Sequence, residues 1–489
     1  MAAPSFSTSI SSVARLDAPF YQVVNGELMP APMSFGIINP ATEQSFARSP
    51  RADEALLDHA VGSARNAFAR WRRTEVEERR QVIEAMAARL LDEKDELATL
   101  LVLEQGKPLA AANAEVERAA AFMLQIGAID IGPERIHEIP GQSSQVHYKP
   151  MGVVGAITPW NMPLVLAAPK IASAILAGNA LVLKPSPFTP LATLRMAEHL
   201  YECAPPGVLN VIAGSDELGP WMSRHEGIDK INFTGSIETG RKVMMSAAGT
   251  LKRLTLELGG NDAAIVLDDA NLDEAIPKLF WAAFGLSGQI CMAVKRLFVP
   301  RSKLQTVTDR MTAMADQCKI GDGFEPGVEV GPIQNSAQLD RVLGLLAETE
   351  RHPGARITTG GKRLDRPGYF VSPAIVTGID AGARLVDEEQ FGPVLPIMVY
   401  DHVDEVVERA NATRFGLAGS VWTEDLDRGA AIAARLDAGF AWVNHHVGTT
   451  RDLPFGGVKQ SGLGRQGHRI GVTSDMEVQV VQVRRGGEG

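Results

Sequence analysis

The sequence of 489 residues predicts an α/β protein with two doubly wound domains in tandem and a small additional β element. Three observations predict this fold class. From Gly152 onward, short apolar runs alternate with helical segments, as in parallel strands joined by helices. A second series of the same units follows Cys291. Two segments with alternating polar and apolar residues lie outside both series and have no obvious partner within either domain.

The segment before the first series has apolar residues at helical spacing between Asp53 and Leu103, with a break of charge near Thr74, and predicts two long helices. The predicted strands of the first series are Val153–Ile157, Ala180–Leu183, Val208–Ile212, Lys230–Phe233 and Ala263–Val266. The predicted strands of the second series are Arg296–Val299, Ile375–Thr377, Val394–Val399 and Ala441–Asn444. The alternating segments Gln145–Lys149 and Glu477–Val483 are predicted edge strands that pair with each other or across a subunit interface.

The longest apolar stretch, Leu164 to Leu183, has the length of a membrane span, but Pro169 and Lys170 interrupt it. A buried helix followed by a buried strand is the better interpretation, and we expect no membrane association. Residues 1–15 are rich in Ser and lack the apolar core of an export signal, which favours a disordered arm.

Composition excludes several classes of partner. The net charge of −10 provides no basic field for binding nucleic acid. The three cysteines, Cys203, Cys291 and Cys318, are too few for a disulfide scaffold, and none has the spacing of a metal site. We therefore expect no metal and a reducing, cytoplasmic location.

Cys291 stands in an unusual setting, at the end of the segment Phe284-Gly-Leu-Ser-Gly-Gln-Ile-Cys291 and before a basic, strand-like segment. Most such cysteines are simply buried, so the residue taken alone proves little. Cys203 and Cys318 lie in ordinary helical contexts and are interpreted as structural.

Glu257 ends an apolar strand and is followed at once by Leu-Gly-Gly-Asn261. Lone glutamates are mostly solvated, but the apolar flanks and the Gly-Gly turn would hold this one in a cleft, where desolvation raises the pKa of a carboxyl toward that of a general base. Both a surface and a site interpretation remain open from this segment alone.

Two further elements follow predicted strands. Asn161 in Thr158-Pro-Trp-Asn161 is either a turn residue or an amide donor to a developing oxyanion. Thr234-Gly-Ser236 places a glycine turn between a strand and a helix, where backbone N–H groups can bind a pyrophosphate, although a plain helix start explains the segment equally well.

Together these segments resemble the NAD(P)-dependent aldehyde dehydrogenase superfamily, in its order and over nearly the whole chain, from about Tyr21 to Val483. The matching segments are Asn39-Pro-Ala-Thr42, Glu104-Gln-Gly-Lys-Pro108, Pro159-Trp-Asn161, Lys184-Pro-Ser186, Phe233-Thr-Gly-Ser236, Glu257-Leu-Gly-Gly260, Gly288-Gln-Ile-Cys291, Glu389-Gln-Phe-Gly-Pro393 and Pro454-Phe-Gly-Gly457 with Lys459, Ser461, Gly462 and Gly464.

The resemblance implies a role for each catalytic candidate. Cys291 would attack the aldehyde as a thiolate, and the Asn161 side chain with the Cys291 backbone N–H would hold the oxyanion. Glu257 would activate the water that hydrolyses the thioester and help to deprotonate Cys291. Lys170 matches a family lysine near the water path, with a charge at a helix terminus as the alternative.

The resemblance also implies the binding residues for NAD. They are Ile157, Thr158, Pro159, Trp160, Lys184, Ser186, Gly214, Phe233, Thr234, Gly235, Ser236, Leu258, Gly259, Glu389 and Phe391. Glu389 would bind the nicotinamide ribose, Lys184 the adenine ribose, and Ser236 with Trp160 the pyrophosphate, while Phe391 packs near the nicotinamide or is simple core. Many NAD-preferring relatives carry a Glu where this chain has Pro187, so NADP stays open beside NAD.

The family fold implies a Rossmann-like dinucleotide-binding domain (residues 1–126 and 150–258), a catalytic domain (259–462) and an oligomerisation element (127–149 and 470–489). The last would join subunits into a homodimer or homotetramer.

The substrate class is inferred from absences. Residues 162–168 carry no charge, whereas semialdehyde-binding relatives often have an Arg there for the distal carboxylate, which argues against such a charged substrate. Relatives that bind quaternary ammonium aldehydes need aromatic walls, and Pro169 stands where many family members have a Trp. We expect a medium aliphatic or aromatic aldehyde in an apolar tunnel lined by Met162, Leu166, Ile290, Met292, Thr449 and Phe455. His445, His446 and Arg451 are interpreted as residues of the tunnel mouth or of the surface.

Two alternatives remain beside hydrolytic aldehyde oxidation. A CoA-acylating semialdehyde dehydrogenase is one, although such relatives generally lack the Glu that this chain has at 257. A catalytically silent scaffold of the same fold is the other, and the presence of Cys291, Glu257 and Asn161 together argues against it.

Overall fold

The computed structural model describes residues 8–31, 33–139 and 142–484. The strands of this part of the chain are β1 (Gln22–Val24), β2 (Glu27–Met29), β3 (Met33–Asn39), β4 (Gln44–Arg51), β5 (Glu134–Ile139), β6 (Gln142–Pro150), β7 (Val153–Ile157), β8 (Ala180–Lys184), β9 (Leu209–Val211), β10 (Lys230–Thr234), β11 (Arg253–Glu257), β12 (Asp262–Val266), β13 (Val294–Pro300), β14 (Arg356–Thr359), β15 (Ala374–Thr377), β16 (Val394–Tyr400), β17 (Ala418–Trp422), β18 (Phe440–Val443), β19 (Gly462–Leu463) and β20 (Met476–Arg484).

The α-helices of the same part are α1 (Thr8–Val13), α2 (Glu54–Trp71), α3 (Val76–Asp92), α4 (Lys94–Gln105), α5 (Leu109–Gly127), α6 (Pro163–Leu176), α7 (Leu191–Leu200), α8 (Leu218–Arg224), α9 (Ile237–Ala247), α10 (Leu272–Phe284), α11 (Leu304–Gln317), α12 (Ser336–Arg351), α13 (Arg384–Asp387), α14 (Val403–Asn411), α15 (Leu426–Ala433) and α16 (His468–Thr473).

The first large sheet has the strand order β19-β11-β10-β7-β8-β9-β1-β2. Its five central strands, β11 to β9 in that order, are parallel, β19 and β1 are antiparallel to them, and β2 is antiparallel to β1. Alternate residues along β7 and β8 enter two different apolar clusters, one shared with α3 to α7 and the other with α2, α8 and α9. Helices therefore cover both faces of this sheet, as the prediction of a doubly wound domain requires.

The second large sheet has the order β14-β15-β16-β13-β12-β17-β18 and is parallel except for β14. Its two faces also enter separate clusters. One cluster contains side chains of α12, α14 and α15, and the other contains side chains of α10 and α11. The predicted α/β fold class with two doubly wound sheets is confirmed.

A third, antiparallel sheet has the order β20-β6-β5. Strand β20 pairs with β6 along its whole length, with Val480 opposite Val146. The two segments without a local partner in the sequence therefore pair with each other, which is one of the two predicted arrangements. Strand β6 lies between β20 and β5, so the prediction of an edge strand is wrong for Gln145–Lys149. The remaining sheet consists of β3 and β4.

Some predicted elements differ from the observed ones. Three helices, α2 to α4, replace the two predicted between Asp53 and Leu103, because the chain turns again at Glu93 after the break at Thr74. Residues 8–13 form helix α1, with Ala14 buried behind it, so the disordered arm is wrong over that stretch; residues 1–7 lie outside the described residues.

The stretch Leu164 to Leu183 forms the buried helix α6 and most of the buried strand β8, as predicted. Among the described helices, none has both the length and the apolar character needed to cross a membrane.

Candidate active site

A cleft opens at the carboxyl ends of β7, β10 and β11. Neighbouring parallel strands end at the same edge of a sheet, so the loops that follow them meet there. Loops of the second large sheet close the other side. The predicted residues that line this cleft are Pro159, Trp160, Asn161, Leu166, Thr234, Gly235, Ser236, Glu257, Gly259, Cys291, Glu389 and Phe391.

Cys291 lies in the turn between α10 and β13. Before it, Leu286, Ser287 and Gly288 all have positive φ angles, a conformation that needs support when the residue is not glycine. The Ser287 hydroxyl donates to the carbonyl of Gly331 at 2.7 Å. After it, the Lys295 ammonium donates to the carbonyl oxygen of Cys291 at 2.6 Å. The turn that carries the thiol is thus fixed on both sides.

Glu257 is the last residue of β11 and is 3% exposed. Neither of its carboxylate oxygens forms a hydrogen bond with the described residues. Burial raises the pKa of Glu257, whereas the charge of Lys170 and a contact with the Cys291 thiol lower it. The surface interpretation of Glu257 is wrong, because its carboxylate is held inside the protein beside Cys291.

Burial also raises the pKa of the Cys291 thiol well above its ordinary value, and the Glu257 charge raises it further, while Lys295 lowers it. The thiol is therefore protonated at rest and needs a base, and Glu257 is a carboxylate in contact with it.

The two glycines after Glu257 are required by close approach. A Cβ on Gly260 would lie 2.6 Å from the Cys291 carbonyl oxygen, and a Cβ on Gly259 would lie 2.1 Å from a Glu389 carboxylate oxygen. A side chain at Gly260 would push the Cys291 loop away, and a side chain at Gly259 would displace the Glu389 carboxylate. The Gly-Gly turn thus lets the Glu257 strand pack against both loops.

Asn161 precedes α6 and is 4% exposed. Its Nδ2 donates to the carbonyl oxygen of Gln289 at 2.8 Å, two residues before the thiol. An amide nitrogen carries two hydrogens, so one donor remains for an oxygen bound near Cys291. The turn-residue interpretation alone does not explain this buried contact with the Cys291 loop.

The position of Asn161 is set by a buried ion pair between Lys107 and Glu115. The Lys107 ammonium also donates to the Asn161 carbonyl at 3.1 Å, and a Glu115 oxygen accepts from the backbone N–H groups of Leu164 and Val165. The pair therefore joins α5, the first turn of α6 and the Asn161 loop.

Lys170 lies in the middle of α6, so its interpretation as a charge at a helix terminus is wrong. It is 2% exposed and donates to the Asn232 side-chain oxygen at 2.7 Å. Burial lowers the pKa of Lys170, and the Glu257 charge raises it. Lys170 and Glu257 thus form a buried, electrostatically linked pair.

The nucleotide candidates in the cleft surround the start of α9. The Ser236 hydroxyl caps this helix by accepting from the Thr239 backbone N–H at 3.2 Å. Across the cleft the rings of Trp160 and Phe391 meet edge to face, 5.3 Å apart. Glu389 accepts from the Gly260 backbone N–H at 3.1 Å and lies 3.5 Å from the Lys295 ammonium.

Other cofactor candidates do not line this cleft. They lie in or after strands of the same sheet, buried along its carboxyl edge: Ile157, Thr158, Lys184, Ser186, Gly214, Phe233 and Leu258. Burial lowers the pKa of Lys184 to about 8, and the negative charge of Asp216 raises it. The Asp216 carboxylate thus raises the pKa of Lys184, the lysine that the family resemblance assigns to the adenine ribose.

Among the predicted tunnel residues, Leu166 alone lines the cleft. Ile290 and Met292 flank Cys291 in the chain and are half-buried, as are Met162 and Thr449, while Phe455 is buried. Of the residues assigned to the mouth, His445 is exposed, but His446 is buried with its ring nitrogens bonded to the Met292 carbonyl and the Ser420 hydroxyl. Arg451 is buried as well, so the surface interpretation holds for His445 and fails for the other two.

Several residues of the site were not anticipated from the sequence. The cleft is also lined by Ile237, Glu238, Gln338, Arg341, Arg414 and Phe415. Lys295, which holds the Cys291 loop, lies four residues after the thiol in the basic strand-like segment, and that proximity could have indicated its place in the site. Lys107 lies within a matched segment, but nothing in the sequence indicates that it pairs with Glu115.

Similar proteins are known for nearly the whole chain. Residues 30–481 match the family model described as the aldehyde dehydrogenase family. The chain is 37% identical over 469 residues to a putative aldehyde dehydrogenase, DhaS, of Bacillus subtilis, with 94% of each chain covered. It is 40% identical over 436 residues to a probable aldehyde dehydrogenase of a Pseudomonas species, with 88% of each covered.

Solved structures agree. The NAD⁺ complex of an aldehyde dehydrogenase from Bacillus cereus superposes with a TM-score of 0.94 at 35% identity, covering 98% of this chain and 99% of that one. The betaine aldehyde dehydrogenase of Staphylococcus aureus in complex with NAD⁺ gives the same TM-score at 31% identity, with 98% of each chain covered.

Proposed function

The chain belongs to the aldehyde dehydrogenase family, and from that premise we propose that it oxidises an aldehyde to its carboxylic acid through a thioester on Cys291 that water hydrolyses. The observation that carries the proposal is a half-buried thiol beside a buried carboxylate without a hydrogen-bond partner among the described residues, in one cleft with an amide donor. That set contains a nucleophile, a base and an oxyanion donor.

In the first step the Cys291 sulfur attacks the aldehyde carbon as its proton passes to Glu257. The carbonyl oxygen becomes an oxyanion, which accepts hydrogen bonds from the Asn161 amide and the Cys291 backbone N–H. The Lys295 ammonium holds the Cys291 carbonyl and so keeps the loop in register with Asn161.

A nicotinamide dinucleotide, when bound in this cleft, would supply the hydride acceptor, and loss of hydride from the adduct would leave a thioester on Cys291. Glu257, after losing its proton to solvent, then takes a proton from water, and the resulting hydroxide displaces the thiolate. Lys170 lowers the pKa of Glu257 and so favours the ionised base. The products are a carboxylate and the free thiol.

The residues at the cleft suit a dinucleotide. The turn Thr234-Gly-Ser236 presents the start of α9, where a diphosphate is favoured. Glu389 would hold the nicotinamide ribose, Phe391 would pack beside the nicotinamide, and Lys184 would hold the adenine ribose. We propose NAD rather than NADP, because the charge of Asp216 acts on Lys184 and would repel a 2′-phosphate.

We propose that the substrate body is an apolar chain or an aromatic ring of medium size. This is supported by Leu166 in the cleft, by the half-buried Met162, Ile290, Met292 and Thr449, and by the buried ring of Phe455.

We also propose the domain division predicted above, and a homodimer or homotetramer joined by the β20-β6-β5 sheet. Strand β20 supports this, since Val478, Val480 and Val483 are more than half exposed on it. The three unpaired cysteines support a cytoplasmic location.

The test is the absorbance of reduced nicotinamide with a panel of aldehydes, with NAD and NADP in separate runs. Cys291→Ala should abolish the signal, while Cys203→Ala and Cys318→Ala, which change the other two cysteines, should retain it. Equal activity of Cys291→Ala would refute the covalent mechanism. No reaction with either cofactor would favour a silent scaffold, and a reaction that requires CoA would favour the acylating alternative.

A further inference from the structure

His446 is a buried histidine that contacts the nucleophile loop and has no part in the steps proposed above. It is 6% exposed, and its ring lies against the ring of Trp442 at 4.9 Å. Its Nε2 lies 3.0 Å from the carbonyl oxygen of Met292, the residue after Cys291. Its Nδ1 lies 2.8 Å from the Ser420 hydroxyl on β17. Both ring nitrogens are thus bonded, and the ring has one fixed orientation.

The hydrogen-bond partners determine which nitrogen of His446 carries the proton. A carbonyl oxygen only accepts, so Nε2 donates to Met292. Burial lowers the pKa of His446 to about 3, so the ring is neutral near pH 7 and its Nδ1 accepts from Ser420. The Ser420 oxygen in turn accepts from the Trp422 indole N–H at 2.9 Å. The Asp262 carboxylate, 4.0 Å from Nε2, lies beyond hydrogen-bond distance. A chain of three donors therefore ends at the Met292 carbonyl.

The Met292 carbonyl belongs to the tight turn that carries the thiol. The Ala293 N–H donates to the Ile290 carbonyl at 3.1 Å, so Cys291 and Met292 are the two central residues of this turn. A trans peptide is planar, with its C=O and N–H on opposite sides, and no described peptide is cis. His446 therefore fixes, through the Met292 carbonyl, the direction of the Ala293 N–H.

The peptide between Ile290 and Cys291 carries the N–H that is proposed as an oxyanion donor. Its carbonyl oxygen accepts from the Ala293 N–H and also from the Lys295 ammonium at 2.8 Å. Since these two bonds hold one side of a planar peptide, the Cys291 N–H on the other side has a fixed direction. This N–H donates no hydrogen bond to the described residues and is free for an oxyanion.

We infer that His446 is a positioning residue of the proposed reaction. It holds the Met292 carbonyl, and together with Lys295 it keeps the Cys291 N–H directed at the oxyanion that forms when the aldehyde is attacked. His446 does not line the cleft and acts through the turn. This inference rests on the proposed function, to which it adds the residue that orients one of the two oxyanion donors.

Lys295 alone would hold this turn less firmly. Its side chain is long and flexible, and its ammonium also faces the Glu389 carboxylate at 3.5 Å. The imidazole, by contrast, is held between the Ser420 hydroxyl and the Trp442 ring. A displacement of about 1 Å in a reacting or binding group is enough to slow an enzymatic step strongly. A rigid contact at the far end of the turn is therefore expected to matter for the rate.

The experiment compares two amide variants. His446→Gln places its amide nitrogen near the position of Nε2 and can still donate to Met292, whereas the shorter His446→Asn reaches only toward Ser420. Stopped-flow absorbance of reduced nicotinamide, with NAD and the best aldehyde of the panel, gives the rate of the first turnover. His446→Asn should lower this rate by about 30-fold, less than the loss of an oxyanion donor costs. His446→Gln should stay within about threefold of the native rate, because the donor is retained.

Alkylation of Cys291 by iodoacetamide is the second readout, because it uses the thiol but forms no oxyanion. In a background of Cys203→Ala with Cys318→Ala, both variants should be alkylated within about threefold of the native rate. His352→Leu, which changes an exposed histidine after α12, is the control and should alter neither rate. If His446→Asn does not fold, His446→Leu, which adds no buried polar atom, replaces it and should show the same two rates.

A native first-turnover rate in His446→Asn would overturn the inference and leave the proposed function standing. An equal fall in first turnover and in alkylation would also overturn it, because His446 would then maintain the whole site rather than the direction of one N–H. A His446→Gln variant as slow as His446→Asn would do the same, since a donor to Met292 would then not matter. A native enzyme that reduces no cofactor with any aldehyde would instead contradict the proposed function.

Discussion

Two clusters of buried charge lie on either side of Asn161, and they are built in opposite ways. In the first, which we call the scaffold cluster, Lys107 and Glu115 bind each other, and both also bind backbone groups. In the second, the reactive cluster of Glu257, Lys170, Arg451 and Cys291, both Glu257 oxygens and two Arg451 nitrogens have no hydrogen bond with the described residues.

The difference shows which of the two clusters lowers the stability of the fold. A buried ion pair with its remaining groups satisfied can fix one backbone arrangement, here the turn that carries Asn161. A buried charge without partners lowers stability and is free to bind a substrate, take a proton or face a developing charge. Polar residues of similar burial therefore serve as structure in one cluster and as chemistry in the other.

Replacing the base of the reactive cluster should have the largest effect. Glu257→Gln should lower steady-state turnover by about 1000-fold, because the thioester then lacks a general base. The same change should alter the free energy of unfolding little, since the carboxylate has no hydrogen bond to lose and the removal of its desolvation cost offsets the loss of its attraction to Lys170. Steady-state kinetics and urea unfolding measure the two quantities.

Glu226→Gln, at an exposed surface position, is the control and should alter neither quantity. If Glu257→Gln proved strongly destabilising and still active, Glu257 would belong with the scaffold residues and the comparison would fail.

Breaking the scaffold cluster should have a different effect, a loss of stability. Glu115→Ala should lower the free energy of unfolding by about 3 kcal/mol, because it leaves the Lys107 ammonium buried without its partner. The double variant Lys107→Met with Glu115→Leu should recover much of that loss. Urea unfolding of Lys107→Met, Glu115→Leu and the double variant gives the coupling.

The exposed pair Lys94–Glu117 is the matched control, as Glu117 lies on the same helix, α5. Glu117→Ala should change stability by less than about 1 kcal/mol. A similar loss from Glu115→Ala and Glu117→Ala would mean that burial does not distinguish the pairs.

The sequence predicted the reactive cluster better than the scaffold cluster. Glu257 and Cys291 stand beside glycines in segments whose pattern indicates a site, and the parallel strands before Asn161 and Glu257 place their loops at one edge. Lys107 and Glu115 lie eight residues apart on either side of a helix start, and Asn161 is far from both in the chain. No local pattern reveals a contact of that kind.

The strands that are buried on both faces, such as β7 and β8, followed from their continuous apolar runs. Periodicity failed at the junction of α3 and α4, where Glu93 ends one helix and the next starts at Lys94 without a change in composition. The sequence left Arg451 between the tunnel mouth and the surface, because a charged residue in a loop is usually solvated. Its burial depends on contacts that are distant in the sequence, such as the one with Phe122 from α5.

The pH dependence of thioester hydrolysis tests whether the charge of Lys170 acts on Glu257 within the reactive cluster. Glu257 acts as a base when ionised, and burial raises its pKa, so the rate should fall with decreasing pH at a higher pH than an ordinary glutamate would give. Lys170→Met removes a charge that lowers this pKa, so the falling limb should move to higher pH. We expect a rate about tenfold lower on the acidic side.

The measurement is the hydrolysis rate of a preformed acyl-enzyme between pH 5 and pH 9. Lys278→Met, which changes an exposed lysine on α10, should leave the profile in place. An unchanged profile in Lys170→Met would show that the Lys170 charge does not reach Glu257.

The smallest expected effect concerns the thiol at rest. The Glu257 charge raises the pKa of Cys291, so Glu257→Gln should increase the fraction of thiolate and speed alkylation by iodoacetamide a few-fold, by roughly the factor that removing one nearby charge gives. Cys203→Ala with Cys318→Ala isolates the signal of Cys291. Slower alkylation in Glu257→Gln would instead mean that proton removal by Glu257 outweighs its repulsion of the thiolate. Glu257 would then activate the Cys291 thiol before the substrate arrives, and the absence of hydrogen bonds in the reactive cluster would be a property of its resting state.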